Sequence, residues 1–451
     1  MGLRLIGAKG VSAVSTWALK NVFRRPAANF PGKIALYIDP LVISDLASKL
    51  EKGSIVVCGT NGKTTVNNLL ADVIEASGMK VVCNRTGANL DSGVATALLH
   101  AQKSDWGCFE CDEMWVGKVL PKLEADYLLL LNLFRDQLDR VGEIQVVQNS
   151  IIAACKASPK TCVVYNADDP LCASIAEAVP NKSIAFGIGE ALSFEQNNVI
   201  DAQMCQKCSS MLEYNYRHYD QLGDYRCSSC GFTRPELDYA ARELVLGASG
   251  LGFDLMHEKA KLFRVEASYS GAYMIYNLLA VAAMSHTVAC SAEAFQKALT
   301  AFNPQNGRLE YFEIAGHKTL LNLAKNPTGF NQNIDLITQD KGPLVAAFYV
   351  NDKEGDGRDV SWLWDIDFEV LASHSDIEVH AGGARKNDVQ LRLKYAGINA
   401  KLIDHASEVF PSSGARGSDL PNRNYYFIAN YTALPPVRAE LCQLAAERGE
   451  D

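Results

Sequence analysis

Several things are missing from this 451-residue sequence, and each absence narrows what the protein can be. No apolar run is long enough to cross a bilayer. The stretch from Met1 to Lys20 is interrupted by Arg4, Lys9, Gly10 and several Ser and Thr. It therefore has no continuous apolar region and is not expected to be a signal peptide. Positive charge is not in excess: 43 Lys and Arg stand against 52 Asp and Glu, a formal net charge of −9. That balance argues against a nucleic-acid backbone as the main partner. A disulfide framework is also missing. Of 13 cysteines, nine are scattered singly: Cys58, Cys83, Cys108, Cys111, Cys155, Cys162, Cys172, Cys290 and Cys442. Several lie in apolar runs, where a free thiol packs as a small hydrophobe. A reducing, cytoplasmic setting is expected.

What is present is an ample apolar fraction, 48%, on a chain long enough for two or three domains. Short apolar runs at Ser54–Cys58, Lys80–Cys83, Trp106–Phe109, Tyr127–Leu131 and Cys162–Tyr165 alternate with helical patterns. Continuous apolar strands between helices imply a parallel sheet covered on both faces. Gly271–His286 reads as a helix. Asn303-Pro304-Gln305-Asn306-Gly307 is dense in turn residues and reads as a boundary. Beyond it, Leu344–Val350, Glu378–His380 and Tyr425–Ile428 read as strands of a second α/β unit. At the other end, Val11 to Phe23 fits an amphipathic helix with Val14, Trp17, Ala18 and Phe23 on one side. Packing of that side on the body is expected, with shallow membrane contact aided by Arg24 and Arg25 as the alternative.

Gly59-Thr60-Asn61-Gly62-Lys63-Thr64-Thr65 follows the first strand and opens a helix. Glycines let main-chain N–H groups wrap phosphates, Lys63 neutralises β/γ oxygens, and the Thr64 hydroxyl can reach Mg²⁺. Val57 stands where the general pattern has a further glycine, so the loop is a shortened variant. ATP is the expected ligand.

That variant, G-T-N-G-K-T, resembles the Mur ligase and folylpolyglutamate synthase superfamily, whose members form amide bonds at the expense of ATP. Further resemblances follow in order along the chain. Glu110, in Phe109-Glu110-Cys111-Asp112-Glu113, falls at the family's Mg²⁺-binding glutamate. Asn132 to Asp139 resembles the N-x-x-x-D-H-L-D segment, with Gln137 in place of the metal-binding His, so a second Mg²⁺ site is left open. Asn277 matches an asparagine near the nucleotide, and Gly307-Arg308-Leu309-Glu310 matches the G-R-x-E junction whose arginine reaches it. Ala324-Lys325-Asn326-Pro327 is similar to the A-H-N-P loop with Lys for His. The resemblance implies an acyl phosphate, formed by γ-phosphoryl transfer to a carboxylate and attacked by a nitrogen nucleophile. Arg308 would steady the transferring group.

Between Gln203 and Thr233 the α/β rhythm breaks. Cys205-x-x-Cys208 and Cys227-x-x-Cys230 are separated by eighteen residues, the spacing of two knuckles completing a tetrahedral Cys₄ zinc site. A closed Cys₄ site staples structure and does not catalyse. Paired redox thiols and a nucleic-acid-binding ribbon, the latter with Lys207, Arg217, His218 and Arg226, are the alternatives.

Three features narrow the resemblance. The phosphate loop comes so early that a preceding UDP-sugar-binding domain is not expected. The zinc ribbon is inserted in the ATP unit. The segments Lys325–Gln332, Asn351–Asp359, Ser361–Asp365 and Arg392–Gly397 are similar to those of MurT-type subunits of lipid II isoglutaminyl synthases. This implies amidation of the D-glutamate α-carboxylate of the lipid II stem peptide, at the inner membrane face. Ammonia would come from a separate glutaminase subunit, GatD. In that family a C-terminal aspartate completes the glutaminase Cys–His pair, where it would orient the imidazole. Asp356 and Asp359 are the leading candidates, with Asp352 and Asp365 behind. The implied fold is a Mur ligase-type P-loop domain over 37–304, with a zinc-ribbon insert at about 201–234. An N-terminal arm over 1–36 precedes it, and a smaller α/β domain over 305–451 contacts the partner. Lys325 and the loop Gly382 to Asp388 are candidates to contact nucleotide or substrate anions.

Overall fold

The computed structural model describes residues 3–24, 27–135, 144–192, 201–247, 250–302, 307–374, 376–410 and 423–448. Arg25, Gln137 with its neighbours Asp136 and Asp139, and the turn residues 303–306 lie outside the described residues.

Two sheets organise the chain. The larger has nine strands: β1 (Leu50–Cys58), β2 (Val81–Cys83), β3 (Ser104–Glu110), β4 (Tyr127–Leu130), β5 (Cys162–Asn166), β6 (Ser183–Ile188), β9 (Tyr239–Gly247), β10 (Gly250–His257) and β11 (Ala260–Ala267). A separate two-stranded hairpin, β7 (Glu213–Tyr219) and β8 (Leu222–Arg226), comes between β6 and β9. The order in the large sheet is β11-β10-β9-β6-β5-β4-β1-β3-β2. From β2 to β9 every pairing is parallel, and only β9-β10-β11 runs antiparallel. The antiparallel extension escapes the sequence reading because its outward positions, such as Glu243 and Lys261, blur the apolar runs.

In the six-stranded sheet the order is β12 (Glu310–Ile314), β13 (His317–Leu323), β17 (Asn424–Ala429), β14 (Leu344–Tyr349), β15 (Ile377–Gly382) and β16 (Lys401–Leu402). It is parallel apart from the β12–β13 hairpin. β14 is buried at every position, as a strand covered on both faces must be. The helix Ala272–Thr287 is apolar nearly all round and lies within the core of the larger unit.

β1 sits between β3 and β4, so the chain passes to opposite sides of it. A crevice opens at such a reversal beyond the carboxyl ends of the strands. The N-terminal helix Leu3–Asn21 buries Leu5, Ala8 and Ser12. This corrects the expected packing: Val14 and Trp17 point outward. No helix among the described residues is long and apolar enough to cross a membrane.

Candidate functional site

Three neighbouring strand ends build one wall of the crevice. β1 delivers the phosphate loop, β3 ends on Glu110, and β4 leads to Asn132. The loop is splinted from behind by Asn132. Its carbonyl accepts from the Thr60 N–H at 2.9 Å, and its Oδ1 accepts from the Asn61 N–H at 2.8 Å. Its Nδ2 donates to the Asn61 carbonyl at 3.1 Å. Gly62 has φ +88°, and a Cβ there would lie 2.2 Å from Asn277 Oδ1. Only glycine fits, both for the left-handed turn and for the approach of the buried Asn277 from helix Ala272–Thr287.

Lys63 is buried. Its ammonium donates to the Gly59 and Thr60 carbonyls and lies 3.4 Å from Glu113 Oε2. Burial alone would lower its pKa. Glu113 reverses this, with Tyr431, Glu110 and Asp112 adding, so the pKa ends above the ordinary lysine value. Glu110 is raised above the usual carboxylate range by burial, against the pull of Lys63, the Thr64 hydroxyl, Arg308 and Lys325. Its main chain is gripped by Asn84, whose Oδ1 accepts from the Glu110 N–H and whose Nδ2 donates to the Glu110 carbonyl, both at 2.9 Å. Glu110 Oε2 is buried with no hydrogen-bond partner. A buried, unpartnered carboxylate oxygen beside a threonine hydroxyl fits a hard cation such as Mg²⁺.

The facing wall comes from the carboxyl edge of the second sheet. β13 runs into Ala324-Lys325-Asn326 and β17 into Asn430-Tyr431-Thr432, with Leu323 and Ala429 in register. The two walls touch where Asn61 and Asn326 exchange amide hydrogen bonds at 3.4 and 3.3 Å. Asn326 also caps helix Pro327–Gln339. Thr60, Asn61, Gly62, Lys63, Thr64, Thr65, Glu110, Asn277, Arg308 and Lys325 all line this single cleft. Gly59 lies behind it, with a Cβ position 2.9 Å from the Asn132 carbonyl. Glu113 stands in the segment read for Glu110 without being singled out there, and Asn84 and Tyr431 carry no short motif that marks them as site residues.

None of the C-terminal aspartates lines the cleft, and each has its own partners. Asp356 is buried, and its carboxylate accepts from the Thr432 N–H at 3.0 Å and from the Thr432 hydroxyl. Asn351 and Asn430 are cross-bonded nearby, at 3.0 and 2.8 Å. Together these contacts fasten the loop 351–359 to the segment carrying Tyr431. Asp359 is exposed and accepts from the N–H and hydroxyl of Ser361, which holds its carboxyl below the usual range. Asp352 is half-buried, 3.4 Å from Arg385, and Asp365 pairs with Arg135 at 2.7 Å.

The four cysteines Cys205, Cys208, Cys227 and Cys230 converge, with all Sγ atoms within 4.8 Å of one another. The two knuckles repeat one pattern. The Ser209 and Gly231 N–H groups donate to the Cys205 and Cys227 carbonyls at 2.9 and 3.0 Å, and both residues have positive φ. Four thiols so close together fit a tetrahedral zinc ion. The hairpin is anchored to the ATP-side core by Asp168, which accepts from Tyr276 at 2.7 Å and from Arg234 at 3.0 Å. The basic residues that suggested nucleic acid are engaged elsewhere. Lys207 pairs with Glu177, Arg226 pairs with Glu213, and His218 is buried.

Residues 57–222 match the Mur ligase middle domain family, and residues 323–434 match the MurT ligase C-terminal family. The chain is 30% identical over 416 residues to "Lipid II isoglutaminyl synthase (glutamine-hydrolyzing) subunit MurT" of Staphylococcus aureus, covering 92% of each chain. It is 31% identical over 436 residues to the protein of the same name from Streptococcus pneumoniae, covering 94% of each. In fold it is similar to a pseudomurein peptide ligase type C from Methanothermus fervidus, with TM-score 0.68, 20% identity, and coverage of 89% of this chain and 81% of that one. It is also similar to the MurF ligase of Thermotoga maritima in complex with ADP, with TM-score 0.63, 14% identity, and coverage of 91% and 84%.

Proposed function

This chain belongs to the MurT family of Mur ligase-like subunits, and from that premise we propose that it amidates the D-glutamate α-carboxylate of the lipid II stem peptide to D-isoglutamine. The observation that carries the reading is the convergence of the phosphate loop, Glu110, Asn277, Arg308 and Lys325 on one cleft between two strand edges.

The chemistry follows from those groups. A carboxylate oxygen attacks the γ-phosphorus of ATP, the bond to the β-phosphate oxygen breaks, and ADP leaves. Ammonia then attacks the acyl carbon, phosphate departs, and the nitrogen loses a proton to leave the amide. Lys63 and the loop N–H groups hold the phosphates, while Arg308 and Lys325, from the facing wall, offset charge on the transferring group. Mg²⁺, when bound, would supply further screening of the β- and γ-phosphates, held by Thr64 and Glu110. Zinc, when bound, would be held by the four cysteines and staple the hairpin. In this reading residues 37–304 form the ATP-binding unit and 305–451 the unit that meets a glutaminase subunit, GatD. The protein works in the cytoplasm, against the inner face of the membrane that holds the lipid substrate.

The aspartate that completes the glutaminase Cys–His pair must reach outward with a free carboxylate edge. Asp352 and Asp359 are more exposed than the buried Asp356, whose two oxygens are both held by Thr432; of the two, Asp359 would first exchange its contacts to Ser361. Amidation of purified lipid II with ATP and Mg²⁺ tests the reading. Product is expected from ammonium salt with the chain alone, and from glutamine only when the glutaminase subunit is added. Turnover with an amino acid, and none with ammonia, would instead make it an ordinary amino-acid-adding ligase.

A further inference from the structure

The first 38 residues contain six basic residues, Arg4, Lys9, Lys20, Arg24, Arg25 and Lys33, and no Asp or Glu, in a chain whose total formal charge is −9. Within this segment, helix Leu3–Asn21 packs against helix Phe30–Ile38. At 100° per residue, Leu5, Ala8 and Ser12 share the inward face, and these are the buried ones. The opposite face carries Leu3, Ile6, Gly10, Val14 and Trp17. Leu3 is 89% exposed, Val14 67% and Trp17 62%. Val22 and Phe23 extend the exposed apolar surface past the helix end. Arg4 borders the stripe on one side, and Lys9 and Lys20 on the other, while Arg24 follows Phe23.

We propose that this face of the N-terminal helix is a docking surface for an anionic phospholipid bilayer. An outward apolar stripe with a tryptophan, bordered by basic residues and free of acids, suits a helix lying in the headgroup region. The apolar side chains leave water for the acyl boundary, and the flanking cations meet the negative surface. The charge separation selects this occupant. The rest of the chain is strongly acidic and is repelled from an anionic leaflet, so binding through the arm orients the body away from the membrane. The proposal rests on the lipid-linked substrate of the proposed function for its purpose, though not for its geometry.

Flotation of the full chain with vesicles of phosphatidylglycerol and phosphatidylcholine, against phosphatidylcholine alone and without lipid II, tests it. Binding to the anionic vesicles is expected, weakening as salt is raised. The triple variant Ile6→Ser, Val14→Ser, Trp17→Ser changes only exposed positions and should lose most of that binding. Lys9→Gln, Lys20→Gln, Arg24→Gln should reduce it by about a hundredfold. Both variants should still amidate lipid II dispersed in detergent, which separates failure of the surface from failure of the enzyme reading. Wild-type protein that does not float with anionic vesicles would overturn the proposal. So would variants that float as well as wild type, or variants that lose association with the glutaminase subunit instead of the bilayer.

Discussion

The carboxyl edges of the two sheets face each other across one cleft, yet they are built from different materials. On the nine-stranded sheet the edge is main-chain amides, two positive-φ glycines, a buried ammonium and a buried carboxylate. On the six-stranded sheet it is a lattice of side-chain amides, hydroxyls and carboxylates: Asn351 with Asn430, Asp356 with Thr432, Asn326 with Asn61. Under the proposed function the first edge holds phosphate. The second holds two loops together, one lining the cleft through Tyr431 and the other presenting Asp352 and Asp359 to the outside. Under the proposed function this is a division of labour, one edge serving the nucleotide and the other the partner subunit.

The largest effect expected from breaking this division is on the outer loop. One of Asp352→Asn and Asp359→Asn should lower glutamine-dependent amidation by about four orders of magnitude. Amidation from ammonium salt should be unchanged, and the two rates measured side by side give the answer. Lys63→Ala attacks the other edge and should lower both rates together, by roughly a thousandfold. Cys205→Ser or Cys227→Ser should abolish stoichiometric zinc by elemental analysis and cost several kcal/mol of stability, since metal binding and folding of such a knuckle are one equilibrium. Asp356→Asn leaves the half-buried Thr432 hydroxyl and N–H imperfectly paired. A loss of about 1–3 kcal/mol in thermal unfolding is expected, with weaker nucleotide binding through the displaced Tyr431.

A pH-dependent effect concerns the seam between the zinc hairpin and the second unit. Asp220, in the hairpin turn, accepts from the Thr328 hydroxyl at 2.6 Å and from the Asp201 N–H at 2.8 Å. Its carboxyl is pushed up to about 8 by burial and then by the Asp201 charge. A carboxyl whose folded value lies above its unfolded one, about 3.9, withdraws stability as pH rises from that value through about 8. Asp220→Asn removes the dependence. The difference in melting temperature between variant and wild type should therefore shift in the variant's favour as pH rises from about 6 to about 9.

The same contrast explains what the sequence could reveal. The phosphate loop and the four cysteines are contiguous or evenly spaced, so their chemistry is written locally. Glu110, Asn277 and Arg308 were legible only through their order relative to that loop, and the sheet order brings them together. Asn84 and Tyr431 were not legible, because their partners lie far along the chain. Asn351 and Asn430, 79 residues apart, show the same limit. For Asp356 the acidic loop marks the residue but not its partner. Whether a carboxylate points outward or clamps a neighbouring turn, however, depends on the tertiary position of Thr432. The N-terminal helix was recognised but its inward face was misjudged, since a helix with apolar residues on both sides does not announce which side the body takes.

Isotope transfer tests the central claim most directly. Lipid II carrying ¹⁸O in the D-glutamate α-carboxylate would be amidated with ATP, Mg²⁺ and ammonium salt by this chain. If the carboxylate is activated as an acyl phosphate, one ¹⁸O appears in the inorganic phosphate for each amide formed. Amide formed while the phosphate stays unlabelled would contradict the account.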